Sequence, residues 1–106
     1  MTQSPSFEKH LAEDRRLALL RVLADSTGYQ TNEYTLEAVL EDLGHHVSNA
    51  RLRADLTWLS ESELITTSTA GGVTIATLTQ RGLDAARGKM TVPGVKRPRP
   101  ESWRQP

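Results

Sequence analysis

The chain has 106 residues, enough for one small domain, and its 37% hydrophobic and 25% charged residues allow a single modest core. It contains no cysteine, which excludes disulfide bonds, thiolate metal sites and a cysteine nucleophile. The formal net charge is zero, but the first 77 residues carry six bases and eleven acids and the remainder carries seven bases and two acids, so we expect an acidic body followed by a basic tail.

The first predicted helix spans residues 7–25, after a flexible N-terminus over residues 1–6. This stretch contains no glycine or proline and is rich in residues that favour helix. It carries two apolar stripes on nearly opposite sides. One stripe faces the core and consists of Ala12, Leu19, Leu20 and Leu23. The other either packs inside the same domain or forms a homodimer interface, and consists of Phe7, Leu11, Ala18 and Val22.

Two further helices, close together in the chain, predict a helix-turn-helix unit. The first of them covers about residues 33–43, between an N-cap at Asn32 and a stop at Gly44. Its apolar stripe consists of Leu36, Val39, Leu40 and Leu43. The second follows an N-cap at Ser48, and its buried stripe consists of Leu52, Leu56 and Leu59.

A predicted β-hairpin and a short helix complete the domain. Residues 64–68 and 73–77 are rich in β-branched residues, which favours strand, and Gly71 and Gly72 between them suit a tight hairpin turn. Thr79 then caps a helix over residues 80–87, which ends at Gly88. Four of the five prolines follow Gly88. We therefore predict a domain of residues 7–88 and an extended, basic, proline-rich tail of residues 89–106.

The order of these elements predicts a mainly α (α+β) fold of the winged helix-turn-helix class. It would have a three-helix core, a β-hairpin wing, a short C-terminal helix and an extended tail. Residues 47–65 resemble the recognition-helix region of that class. The hexapeptide Leu-Thr-Gln-Arg-Gly-Leu at residues 78–83 is similar to the step that follows the wing in many bacterial regulators.

Four segments resemble small proteins encoded by Mu-like phages and prophages. They are AEDRRL at residues 12–17, LGH at 43–45, RADLTWL at 53–59 and VPGVKRPRP at 92–100. Such proteins are often labelled as regulators similar to the arsenic-repressor family, so the resemblance implies a fold and a phage source more than an activity. The metal chemistry of arsenic repressors is not implied, because this chain has no cysteine.

The candidate DNA-binding residues lie on the third helix and on the tail. Arginine can bind a guanine edge through two hydrogen bonds and asparagine can bind adenine. The alternative is a solvated helix face on which Arg51 pairs with Asp55. The tail could follow a phosphate backbone, dock on another subunit or on the acidic second helix, or form a disordered end. The candidates are Asn49, Arg51, Arg53, Thr57, Lys96, Arg97 and Arg99.

Two features count against strong DNA binding. The predicted wing tip, residues 66–72, has no lysine or arginine and offers phosphate only hydroxyl and N–H groups. Glu33, Glu37 and Glu41 predict an acidic outer face on the second helix, which would repel phosphate or attract a basic protein. Trp58 is predicted to cover the wing strands, with stacking on a base or a ligand as the alternative.

The sequence predicts no catalytic residues, no metal site and no cofactor. His45 and His46 are adjacent at a turn without a third ligand nearby, and no phosphate-binding loop, zinc-hydrolase motif or nucleophile elbow is present. Residues 1–9 contain no apolar run, and no stretch approaches the roughly 18 apolar residues of a membrane span. We therefore expect no membrane partner and a location in the cytoplasm of a bacterial host.

The leading interpretation is a phage or prophage transcriptional regulator that binds double-stranded DNA through its recognition helix and acts as a homodimer. The alternative is a phage assembly or DNA-packaging accessory protein that uses the same scaffold for contacts with other phage proteins. The acidic second helix and the neutral wing motivate the alternative.

Overall fold

The computed structural model describes residues 4–100 of the chain. Within that range the fold is α+β, with four α-helices and a three-stranded antiparallel sheet. In chain order the elements are α1 (Pro5–Asp25), a 3₁₀ turn (Thr27–Tyr29), β1 (Gln30–Asn32), α2 (Glu33–Asp42), α3 (Asn49–Glu61), β2 (Ile65–Ala70), β3 (Val73–Leu78) and α4 (Gln80–Ala86). No helix of this range is both long enough and apolar enough to cross a membrane.

The helices and the hairpin strands lie where the sequence predicts them, because side-chain caps fix the helix starts. Asn32, Ser48 and Thr79 each accept a hydrogen bond from the backbone N–H three residues later, which confirms these predicted caps. Ser4 caps α1 in the same way, so this helix starts at Pro5 rather than at residue 7. Residues 1–3 of the predicted flexible N-terminus lie outside the described residues.

The central strand of the sheet is β3, which pairs with β1 on one side and β2 on the other. The predicted hairpin runs in register from the pair Ile65–Leu78 to the pair Ala70–Val73. Gly71 and Gly72 form its turn with φ angles of 57° and 79°, in the region that a Cβ atom disfavours. The sequence does not predict β1, because its three polar residues show no apolar alternation.

The core consists mainly of leucines from the first three helices, closed by the base of the hairpin. The predicted buried stripe of α3 is confirmed, since Leu52, Leu56 and Leu59 are all buried. Leu43 is a correction: it is 56% exposed because α2 ends at Asp42, one residue before it. The other core leucines are Leu17, Leu19, Leu20, Leu23, Leu36, Leu40, Leu64 and Leu78.

The first part of the predicted tail packs against the body, which corrects the expectation of an extended arm. We call residues 92–98 the C-terminal strap. Val92, Val95 and Pro98 are buried, because apolar side chains can pack without regular secondary structure. The backbone N–H of Lys96 donates a hydrogen bond of 3.2 Å to the carbonyl oxygen of Glu13 on α1. Residues 101–106 lie outside the described residues.

Trp58 packs against the strap and α1 rather than over the wing strands. The guanidinium carbon of Arg16 lies 4.1 Å from the centroid of the Trp58 ring, a cation–π geometry. Nη1 of Arg16 also donates a hydrogen bond of 2.8 Å to the carbonyl oxygen of Gly94. The predicted packing role is therefore confirmed, with a different partner, and the strap is joined to α3 through this residue.

Gly94→Ala is expected to loosen the strap. A Cβ at Gly94 would lie 2.8 Å from Cη2 of Trp58 and closer still to Cζ2, and the φ angle of 93° disfavours any side chain. We expect a loss of about 1–3 kcal/mol in the free energy of unfolding and a red shift of Trp58 fluorescence, measured in a Trp103→Phe background. Gly44→Ala is the control, because Gly44 has a φ angle of 90° with nothing near its Cβ position. An equal loss and no spectral change in both variants would contradict the Trp58 contact.

Candidate nucleic-acid interface

The outward face of α3 is the surface that the sequence assigns to DNA. Ser48 caps the N-terminus of α3. Because the leucines on one side of the helix are buried, the opposite side faces solvent. Beside this face stands the hairpin, and the two enclose an open groove of about 360 Å³. Hydroxyl groups dominate its lining, which includes Thr57, Ser60, Thr67, Thr69 and Thr74. The exposed residues of the helix are Ala50, Arg51, Arg53, Ala54, Thr57 and Glu61, and Arg53 and Glu61 also line the groove.

A buried carboxylate holds α3 against the hairpin. Glu33, the first residue of α2, is fully buried. Its Oε1 accepts a hydrogen bond of 2.9 Å from Nε of Arg53, and its Oε2 accepts one of 3.0 Å from Nη2 of the same side chain. Oε1 also accepts from Nδ2 of Asn49 at 3.0 Å, and Oε2 from the backbone N–H of Thr74 at 2.6 Å. We call this set the Glu33 hub, because it joins α2, α3 and β3.

The hub accounts for the titration behaviour of its members. The hydrogen bond from Arg53, then those from the Thr74 N–H and from Asn49, lower the pKa of Glu33 from 4.5 to about 2 despite its burial. The hydrogen bond with Glu33 raises the pKa of Arg53. The placement of Glu33 on an outer acidic face is therefore wrong, because its side chain is buried and bonded to α3 and β3.

Two of the four α3 candidates are held by acidic side chains. Asn49 donates hydrogen bonds to Glu33 and, at 3.2 Å, to Oε1 of Glu37. Arg53 keeps half of its side chain exposed, but its charge is compensated by Glu33. Arg51 and Thr57 are exposed. The part of α3 that is open to a ligand is therefore centred on these last two residues.

Arg51 does not pair with Asp55, which corrects the local ion pair considered from the sequence. Asp55 is buried and accepts hydrogen bonds from Nε and Nη2 of Arg15 on α1, the latter at 3.1 Å. Within residues 4–100, Arg51 forms no ion pair. Asp55 is engaged by Arg15 of α1, so the exposed Arg51 keeps a charge that no ion pair in this range compensates.

The strap candidates are anchored away from α3. Nζ of Lys96 lies 3.3 Å from Oδ1 of Asp14 on α1. Arg97 and Arg99 are exposed on either side of Pro98, whose ring lies against Gly88 just after α4. The described contacts therefore connect Lys96 to α1 and the neighbouring Pro98 to the end of α4.

The hairpin offers polar but uncharged groups. Residues 66–70 of β2 are exposed and consist of threonine, serine and alanine. Hydroxyl and backbone N–H groups can contact phosphate without adding electrostatic attraction. The charged side chains that line the groove are Glu61 and Arg53, whose charge Glu33 compensates.

The four residues of the candidate dimer stripe on α1 differ in their exposure to solvent. Phe7 is 48% exposed, whereas Ala18 and Val22 are half-buried and pack against the core. Ala18 and Val22 also line an open groove of about 440 Å³ between α1 and α2, together with Val39, Leu43 and four polar residues. Leu11 is half-buried. The exposed apolar surface is therefore concentrated at the start of α1 and in this groove.

The two histidines are paired with acids on different elements. Nε2 of His45 lies 3.0 Å from Oδ2 of Asp14, and Nδ1 of His46 lies 2.9 Å from Oε1 of Glu41. Among residues 4–100, no three side chains that could ligate a metal lie together. These pairs have an evident structural role in fixing the turn after α2.

Sequence reasoning missed the Glu33 hub and the Arg15–Asp55 ion pair. Both join residues 16 to 41 positions apart in the chain, so local spacing carries no signal for them. A weak signal does exist for Asp55, because it lies between Leu52, Leu56 and Leu59 on the buried side of α3.

Proteins similar to the chain include two that match it over most of its length. The uncharacterized protein gp26 of Escherichia phage Mu is 45% identical over 92 residues, which is 87% of this chain and 95% of the phage protein. An uncharacterized protein of Haemophilus influenzae is 35% identical over 98 residues, 92% of this chain and 95% of that protein. No protein-family model and no solved structure matches the chain.

Proposed function

The chain belongs to the family of the Escherichia phage Mu protein gp26, and from that premise we propose that it is a phage DNA-binding protein of the winged helix-turn-helix class. In this proposal α2 and α3 are the helix-turn-helix, β2 and β3 are the wing, and α3 enters the major groove. The protein acts as a transcriptional regulator. The observation that carries the proposal is the exposed face of α3, on which Arg51 forms no ion pair within residues 4–100.

The side chains on this face suit close approach to base pairs. Ala50, Ala54 and Thr57 are small and exposed, so the backbone of α3 can come near the groove floor. Alanine and the threonine methyl can contact the methyl group of thymine, and Arg51 has the reach to bind a guanine edge through two hydrogen bonds. Arg53, oriented by Glu33, is the candidate for a neighbouring phosphate.

The Glu33 hub supports this proposal through rigidity. It fixes the angle between α3 and the hairpin by four hydrogen bonds to one carboxylate. A surface that is already ordered loses less side-chain and loop entropy on binding. The hub therefore fixes α3 and the hairpin in one relative orientation for DNA binding, although Glu33 itself does not contact the DNA.

A homodimer forms part of the proposal, because most operators have two-fold symmetry. The stripe Phe7, Leu11, Ala18 and Val22 provides the contact, with the exposed Phe7 at its N-terminal end. A surface that self-associates about a two-fold axis presents the same patch twice.

Arg51→Ala is the direct test. In anisotropy titrations with duplex fragments of the phage genome at about 50 mM salt, we expect wild-type protein to bind and Arg51→Ala to bind about 10-fold more weakly. The loss corresponds to one base contact of about 1–3 kcal/mol. The control is Lys9→Ala, which removes one exposed base from α1. Absence of binding by wild-type protein, or equal losses in both variants, would refute recognition by α3.

A second candidate function is that of a phage assembly or DNA-packaging accessory protein. The exposed Leu43 beside the α1–α2 groove favours it, since exposed apolar surface next to polar residues is typical of protein contacts. Recovery of terminase or portal protein, rather than DNA, in a pull-down from infected cells would support this candidate.

A further inference from the structure

The contact between the strap and the end of α4 gathers bases that are distant in the sequence. The ring of Pro98 lies 3.3 Å from the position that a Cβ on Gly88 would occupy. Each of these two residues stands between two bases, and consecutive Cα atoms are about 3.8 Å apart. Four basic residues therefore project from backbone within a radius of about 10 Å. They are Arg87, Lys89, Arg97 and Arg99, which we call the basic patch, and all four are exposed.

Three of the four bases in this patch carry a positive charge that no ion pair compensates within the described residues. Within the described residues, Arg87, Lys89 and Arg97 form no ion pair. Asp14 pairs with His45 and Lys96, and Asp84, three residues before Arg87, accepts a hydrogen bond from the neutral amide of Gln80 and forms no ion pair within the described residues. The patch thus contains three exposed bases without an ion pair, and it lies outside α3.

We propose that the basic patch binds the phosphate backbone of double-stranded DNA and forms a second contact region apart from α3. The inference rests on the proposed function and adds the source of affinity that α3 lacks, since Arg51 alone on that helix is uncompensated. Guanidinium groups bind phosphate oxygens through paired hydrogen bonds. Each phosphate that is neutralised releases counterions, which makes the contact independent of sequence and sensitive to salt.

The fold of the strap favours this role. Pro98 and Pro100 restrict the backbone around Arg97 and Arg99, and Val95 and Pro98 are buried. The bases therefore stand on an anchored segment rather than on a free arm, and ordering them on DNA costs less entropy.

The test uses the full chain and a random-sequence duplex of about 24 base pairs, titrated between about 50 and 200 mM salt. The variants are Arg87→Ala/Lys89→Ala/Arg97→Ala and Lys89→Ala, with Lys9→Ala as the matched control for the latter. Because the replaced side chains are exposed, thermal unfolding is expected to match that of wild type. We expect the triple variant to lower the slope of log K against log salt by about 2–3 and the affinity at low salt by at least about 10-fold.

The outcomes separate this inference from the proposed function. If the triple variant binds like wild type while Arg51→Ala is impaired, the patch is refuted and recognition by α3 stands. If the triple variant is impaired while Arg51→Ala binds like wild type, the patch is supported and recognition by α3 is refuted. Equal slopes for Lys89→Ala and Lys9→Ala, both below wild type, would indicate diffuse attraction and overturn the patch. Absence of binding by wild-type protein would overturn both.

Discussion

Asp55→Ala is expected to lower the free energy of unfolding by about 3–5 kcal/mol. Asp55 and Arg15 are both buried and form a two-bond ion pair between α3 and α1. Removal of the carboxylate leaves the Arg15 guanidinium in the core without a partner, and that uncompensated charge dominates the loss. Urea denaturation followed by circular dichroism measures it.

Two further variants show whether the loss arises from the buried charge. Asp42→Ala removes an exposed acid from the end of α2 and is expected to change stability by less than about 0.5 kcal/mol. The double variant Arg15→Met/Asp55→Leu removes both charges and is expected to recover most of the stability. A loss below about 1 kcal/mol in Asp55→Ala would mean that the pair is open to solvent.

Glu33→Ala is expected to give the second large loss, seen as a fall in Tm of about 10 °C or more. The substitution deprives the Thr74 N–H, Asn49 and Arg53 of the acceptor that joins them. Amide exchange at Thr74 should accelerate, because this N–H then lacks its partner. Glu37→Ala is the control on the same helix, since within residues 4–100 Glu37 accepts a single side-chain hydrogen bond, from Asn49. Similar Tm values for the two variants would contradict the central position of Glu33.

The hub also predicts the direction of a pH dependence. The pKa of Glu33 is lowered from 4.5 to about 2 in the folded protein. The stabilisation is therefore complete above pH 4.5 and is lost as the pH falls toward 2. Glu33→Gln cannot titrate and is expected to show a smaller fall in stability across this range. An identical acid profile in wild type and Glu33→Gln would contradict the assignment.

The sequence predicts the helices and the hairpin because their signals are local. The caps at Asn32, Ser48 and Thr79, the leucine spacing of α3 and the Gly71–Gly72 turn each depend on neighbouring residues. Long-range pairing is not encoded in this way. The pairing of β1 with β3 and the docking of the strap depend on which surfaces meet after folding.

The candidate site was predictable in outline but not in its charges. The exposure of Arg51 and Thr57 follows from the position of the buried leucines one turn away. The hydrogen bonds from Asn49 and Arg53 to Glu33 cannot be predicted in this way. Glu33 precedes the apolar positions of α2, and a glutamate at the start of a helix is ordinarily exposed. Assigning charge to a surface requires knowledge of which ionic groups are already paired, and that depends on tertiary contacts.

The central claim is that duplex DNA lies against the outward face of α3. Amide chemical-shift mapping of the ¹⁵N-labelled protein during titration with a phage-genome duplex tests it most directly. We expect the largest shifts at Ala50, Arg51, Ala54 and Thr57, followed by the exposed residues of β2. Shifts confined to the α1–α2 groove around Val22, Val39 and Leu43, with α3 unchanged, would contradict the claim.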